Sequence, residues 1–271
     1  MKILIIRTIT GVVFVSLVVS VFFLPSWYAY FLFLLFSLTG TFEYQQMLNK
    51  KGNDVQKVLP LILIFTLITA AFKEPQMLFV FIAIFLGILM IIVEMFRKKE
   101  FPIQNITLAL FPAFWIAVPF MMSLFLLETP LKGKHVLLSI FIIIWFYDTL
   151  AYCAGSLVGK HRLFERISPK KSWEGAVISF ITVSFASASF FYIPWFSFSS
   201  FSTIWHWIGF AAVIVVAATF GDLVESFFKR SCDVKDSGNI LPGHGGILDR
   251  FDSFFFATPV GFVYWYIFVL I

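Results

Sequence analysis

Apolar residues run along this chain in long uninterrupted stretches and do not alternate with polar ones. Nine such stretches approach the roughly 17 to 25 residues needed to cross a bilayer, at 8–24, 27–47, 58–72, 77–95, 106–127, 136–157, 175–196, 204–228 and 251–271, the third being the weakest. Backbone groups inside hydrocarbon must be satisfied within the segment, and the two-residue alternation of a membrane barrel is absent, so the stretches are expected to be helices. The pattern predicts an all-α polytopic integral membrane protein with about nine transmembrane helices.

Composition and charge sharpen this expectation. The chain is 60% apolar and 13% charged, with a mean hydropathy of +0.94, which no water-soluble fold of 271 residues could bury. With nine spans the loops alternate between two faces, and all of the 20 basic residues except Lys73, Lys132 and Lys134 fall on one of them. The positive-inside rule makes that face cytoplasmic and puts the amino terminus there. The first stretch follows Lys2 and Arg7 but lacks a small-x-small cleavage pattern, so it is expected to be retained as a span. Cys153 and Cys232 follow no ligand spacing and argue against a disulfide framework or a zinc site. No repeat or linker marks an attached soluble domain. The expected organisation is an amino-terminal set of spans over 1–134 and a catalytic membrane half over 135–271, whose loops 159–174 and 229–250 are long and chemically dense.

Ionisable residues within spans are costly and each needs a reason. Asp148 lies towards the cytoplasmic end of the sixth stretch, either as a structural ion-pair partner or as a wall of a polar cavity. Asp222, Glu225, Ser226, Lys229 and Arg230 share one helical face at the end of the eighth. In the following loop, Gly243, Gly245 and Gly246 surround His244 and allow close approach of the main chain to phosphate oxygens, although the spacing is neither that of a P-loop nor of a dinucleotide fingerprint. Asp249 and Asp252 stand three apart where the ninth helix begins, and Asp222 can meet them from a neighbouring helix. Three such carboxylates repel one another unless a hard divalent cation joins them, Mg2+ being the natural candidate. Basic residues around an acidic cluster, Lys229, Arg230, Lys235 and Arg250, suggest phosphate chemistry more than cation transport. In the other dense loop, basic residues at headgroup level would attract anionic lipid in any case, but topology does not account for the compact run of residues 168–175 at a helix entrance.

These residues resemble the phosphatidate cytidylyltransferase family, also called CDP-diacylglycerol synthases. The resemblance rests on Gly221-Asp222 with Glu225-Ser226 and Lys229-Arg230, on Lys235-Asp236, and above all on Pro242-Gly243-His244-Gly245-Gly246 followed by Asp249-Arg250 and Asp252-Ser253. Asp148-Thr149, Ala151-Tyr152, Gly155, Gly159-Lys160 and the 168–175 run extend it. It implies transfer of CMP from CTP to phosphatidic acid, giving CDP-diacylglycerol and pyrophosphate in phospholipid biosynthesis, by a membrane enzyme using Mg2+, in more than one copy, and acting as a homodimer. Position by position it implies Asp222, Asp249 and Asp252 as metal ligands and, with Lys229 and Arg250, as the catalytic group. Binding of the substrates or their phosphates is expected at Asp148, Ser168, Lys170, Lys171, Glu225, Arg230, Lys235, Gly243, His244, Gly245 and Gly246, the basic residues among them meeting phosphates and His244 serving as a loop anchor or phosphate donor and not an obligatory acid. The implied setting is the inner or plasma membrane, with the site facing the cytoplasm and no nucleic-acid partner. The rival readings are a CTP-dependent lipid kinase of the polyprenol or dolichol type and an ion-coupled transporter; a CDP-alcohol phosphotransferase lacks its spaced aspartate motif here.

Overall fold

The computed structural model describes residues 2–73, 76–129, 133–197 and 201–270. Lys132 of the charge pattern and Ile271, the end of the ninth expected span, lie outside them. Helices dominate: α1 (Lys2–Ser20), α2 (Ser26–Lys50), α3 (Val58–Ala70), α4 (Met77–Arg97), α5 (Pro102–Pro112), α6 (Val118–Glu128), α7 (Gly133–Val158), α8 (Trp173–Ala186), the short α9 (Pro194–Ser197), α10 (Ile204–Ser231) and α11 (Leu248–Trp265). A π-helical turn, Ala113–Ala117, joins α5 to α6 directly after Pro112, whose missing N–H and bulky ring interrupt the regular ladder.

Among the described residues six helices are long and apolar enough to cross a membrane, within Met77–Arg97, Pro102–Glu128, Gly133–Val158, Trp173–Phe191, Ile204–Ser231 and Leu248–Val269. Ile5–Ser20 and Val58–Ala70 are apolar but shorter, and the 25-residue α2 is long but carries Thr39, Thr41, Glu43 and Gln45 in its second half. The protein is therefore a helical polytopic membrane protein. The expectation of helices alone is corrected at one place. β1 (Arg162–Phe164) and β2 (Ser168–Ser172) pair antiparallel as a small hairpin where the sequence suggests a loop.

By packing, the chain forms two compact units. The first takes residues 1–125 with 231–251, and the second takes 126–230 with 252–271. In the first, α3, α4 and α5 pack through Leu63, Ala83, Leu86, Met90 and Ala109. Phe14, Phe36 and Phe120 surround Phe251 with ring centroids 5.5, 5.1 and 5.0 Å away, which seats the first turn of α11 in this unit. The buried Glu94 carboxylate accepts from Gln56 Nε2 (3.0 Å), Asn105 Nδ2 (2.9 Å) and Arg97 Nη1 (2.8 Å). It ties the loops around α4 together without unsatisfied charge. In the second unit α7 and α8 touch backbone to backbone, since a side chain on Gly175 would meet Ala151 O at 2.7 Å and Gly155 Cα at 3.0 Å. Small residues permit this closeness inside a membrane.

Candidate active site

The second unit contains a cavity of ≈ 550 Å³ lined by both charged and apolar side chains, with Asp148 and Tyr147 from α7, Arg162 from β1, Lys170 and Lys171 from β2, and Asp222 from α10 in its wall. The hairpin presents its lysines there for local reasons. Ser172 caps α8 by accepting from Gly175 N (3.2 Å), and Glu174 accepts the N–H groups of Lys160 (3.1 Å) and His161 (3.2 Å) and meets His161 Nδ1 at 2.6 Å. The hairpin is thus fastened to the first turn of α8, which accounts for the 168–175 run as a structural device that aims Lys170 and Lys171 into the cavity.

Lys171 Nζ lies 2.5 Å from Asp222 Oδ2. Burial alone would depress the Lys171 ammonium, but the Asp222 carboxylate outweighs it and holds the group above its ordinary pKa. Asp222 also accepts from Ser226 Oγ (3.2 Å), and Gly221 beside it lets α10 approach α11 closely, because a side chain there would meet Asp252 O at 2.6 Å. Asp148, Asp222 and Asp252 are near enough to repel one another, with Lys171 offsetting part of that charge. Glu225, fully buried, pairs with Lys229 one turn further along α10, where Arg230 follows near the helix end. Ser168 opens β2. An apolar groove of ≈ 360 Å³ between α8 and α10 shares Leu163 and Ala176 with the cavity that holds these charged groups.

The remaining expected residues gather in the first unit. Lys235, Gly243, His244, Gly245 and Arg250 line a second cavity of ≈ 550 Å³ together with Asp236 and Arg7. Positive φ at Gly243 (77°) and Gly245 (83°) bends the loop, which His244 N→Leu241 O and Leu241 N→Gly245 O, both 2.9 Å, close. Asp249 clamps it: Oδ2 accepts from Ser237 N (2.9 Å), Ser237 Oγ (2.9 Å) and Gly246 N (2.8 Å). Burial and then the positive charges of Arg250 and Arg7 hold the His244 imidazole below its ordinary pKa, so it is neutral at pH 7.

Two residues escape the sequence reading. Glu43, 1% exposed, accepts from Ile247 N and Leu248 N at the start of α11 and from Ser237 Oγ. Arg7 donates from Nε to Gly243 O at 3.0 Å. Glu43 carries the signal of an acid in an apolar helix, but Arg7 reads as one more topogenic charge.

Among the described residues no group of three or more His, Cys, Asp or Glu side chains forms a metal site by itself. Mg2+ commonly takes one or two carboxylates and completes its shell with water and substrate phosphates. The surplus negative charge of Asp222 and Asp252, with Asp148 beside them, fits such a shared site.

A sequence model of the cytidylyltransferase family matches residues 5–268. The chain is also 39% identical over 163 residues to a phosphatidate cytidylyltransferase of Staphylococcus aureus (strain COL), covering 60% of each chain. It has the same identity and coverage with that of Staphylococcus saprophyticus. Against the phosphatidate cytidylyltransferase of Haemophilus influenzae it is 36% identical over 188 residues, 67% of this chain and 65% of the relative. The matched region thus spans less than two thirds of these relatives' length, whereas the family match runs through nearly all of this chain. The chain belongs to the cytidylyltransferase family.

Proposed function

We propose that this protein is a phosphatidate cytidylyltransferase, transferring CMP from CTP to phosphatidic acid to form CDP-diacylglycerol and pyrophosphate. One observation carries the reading: in a chain of this family, Lys171 and Asp222 face each other in a cavity that also holds Asp148, Lys170 and Arg162, so acids for a cation and bases for phosphates share one space.

A phosphate monoester has a second pKa of about 6 and is largely dianionic near neutral pH. Its oxygen attacks the α-phosphorus of CTP, a new P–O bond forms, the bond to the β-phosphate breaks and pyrophosphate leaves. No protein base is required. Charge repulsion is the obstacle, and Lys170, Lys171, Arg162, Lys229 and Arg230 would offset it and align the two phosphates. Mg2+, held by Asp222 and Asp252 with Asp249 as the third expected ligand, would supply further positive charge to the phosphates when bound. We further assign nine spans with a cytoplasmic amino terminus and site, supported by the one-sided distribution of basic residues, and a homodimer, on the family resemblance.

The test is purified protein with labelled CTP and phosphatidic acid, with and without Mg2+. Label retained in lipid as CMP only when Mg2+ is present is expected. Release of CDP with a phosphorylated lipid would make the protein a kinase, and ion flux in liposomes independent of nucleotide would make it a transporter.

A further inference from the structure

Two side-chain contacts fix how α8 and α10 lie against each other inside the second unit. Lys171, just before α8, meets Asp222 of α10, and Ser187 Oγ, just past the other end of α8, donates to Trp207 O at 2.9 Å near the start of α10. The two helices therefore run antiparallel, with the start of α8 level with Asp222 and its end level with Trp207.

The apolar groove occupies part of the stretch between those levels. Trp173 of α8 and Leu223 of α10 mark one end of it, and Phe180 and Val215 mark the other, about 12 Å away at roughly 1.5 Å of rise per residue. One end is thus level with the Lys171–Asp222 pair, and the other reaches the middle of Ile204–Ser231, a helix long enough to cross a membrane. Val177, Val216 and Phe220 are half exposed, so the groove opens on the surface of the helix pair.

Its lining asks for nothing polar. Apart from the Trp173 indole, Thr219 is the one lining residue with a heteroatom in its side chain, and that hydroxyl is already engaged. It donates to Val215 O at 2.8 Å, so the Tyr147 hydroxyl, 2.5 Å away in the wall of the charged cavity, is the donor to Thr219. Tyr147 with Thr219 thus joins cavity to groove a second time, beside the shared Leu163 and Ala176.

Resting on the phosphatidate cytidylyltransferase reading, we propose that this groove is an acyl-chain subsite, holding the headgroup-proximal stretch of one chain of the phosphatidic acid while its phosphate sits at Lys171. A chain that enters from the bilayer exchanges one oily setting for another, so the groove adds little binding energy. What it contributes is position, keeping the phosphate oxygen aligned for attack.

The test uses the full chain in detergent micelles with phosphatidic acid carrying a photoactivatable diazirine near the ester end of one chain. Label is expected on residues 173–180 and 215–223, suppressed by an excess of unlabelled phosphatidic acid and not by phosphatidylcholine with the same chains. Equal suppression by both lipids would mean a groove filled by bulk lipid, and that result, or the absence of label from the two stretches, would overturn the subsite. Val216→Trp and Val177→Trp fill the groove from half-exposed positions, and Ile181→Trp, similarly exposed on α8 but outside the groove, is the control. The kcat/KM for phosphatidic acid is expected to fall roughly tenfold or more in the first two, as for a misplaced reacting group, with KM for CTP and thermal unfolding unchanged, and to keep the parent value in Ile181→Trp. An unchanged kcat/KM in both groove variants, or an equal loss in the control, would also overturn the subsite. Label in the groove that phosphatidic acid alone suppresses, in a protein that transfers no CMP to lipid, would leave the subsite standing and overturn the proposed reaction.

Discussion

The Glu43 carboxylate of α2 receives the N–H of Leu248, the first residue of α11, at 3.0 Å across 205 positions of sequence. With the Ile247 N–H on its other oxygen, also at 3.0 Å, it caps a helix end that would otherwise leave buried amides unsatisfied. Gly238 and Gly246 pack so closely on this carboxylate that side chains there would meet Glu43 Oε1 and Oε2 at 2.5 Å. Glu43→Ala is expected to destabilise the protein by about 2–4 kcal/mol, the cost of stranded buried donors, and to loosen the glycine loop; Glu43→Gln should lose less. Thermal unfolding in detergent, with limited proteolysis of the 236–247 loop, checks both.

Removing one partner of the Lys171–Asp222 pair should be costlier than removing both. Lys171→Met leaves the acids of the cavity without their ammonium, and a loss of about 2–4 kcal/mol is expected for a half-buried pair. The double variant with Asp222→Asn should regain part of that stability while CMP transfer stays lost. A double-variant cycle with additive losses would mean that the two groups do not support one another.

Asp249→Asn is expected to abolish CMP transfer while the protein remains folded. The amide keeps an oxygen that can accept from Ser237 and Gly246, so the loop clamp survives in part but the negative charge does not. Near-normal turnover of labelled CTP in this variant would leave Asp249 with the clamp as its role.

Asp54 provides a pH signature away from the site. Its hydrogen bond with Lys99, with Arg97 adding attraction, holds its carboxyl below the ordinary carboxylate value of 3.8. A depressed folded-state pKa means that the contribution is complete above the unfolded value and fades as pH falls through the folded one. Asp54→Asn should lower the unfolding temperature slightly at pH 7, since exposed pairs contribute little, and by less at pH 2. An equal difference at both pH values would contradict this.

The helices could be read from hydropathy because each carries its own signal: the stretches 77–95 and 204–228 became Met77–Arg97 and Ile204–Ser231. The hairpin could not, since Arg162–Phe164 and Ser168–Ser172 have no alternation, and their pairing depends on Ser172 and Glu174 fastening them to α8. Of the site, Asp148 and Asp222 with Lys170 and Lys171 were legible as chemistry, but that Lys171 and not Lys170 faces Asp222 is a matter of strand register. Glu43 and Arg7 act on residues more than 190 positions away, and no local pattern announces such a partner.

Leu163 and Ala176 belong to both the cavity that holds Asp148, Lys170, Lys171 and Asp222 and the apolar groove, so charged side chains and an oil-like wall meet across the width of one side chain. An amphiphile with its phosphate on the wet side would never have to lift its tails out of oil, a transfer that costs about 0.8 kcal/mol for every methylene. On the proposed reading, two-chain lipids of different length would meet this partition alike, because what varies between them stays on the side where it already was.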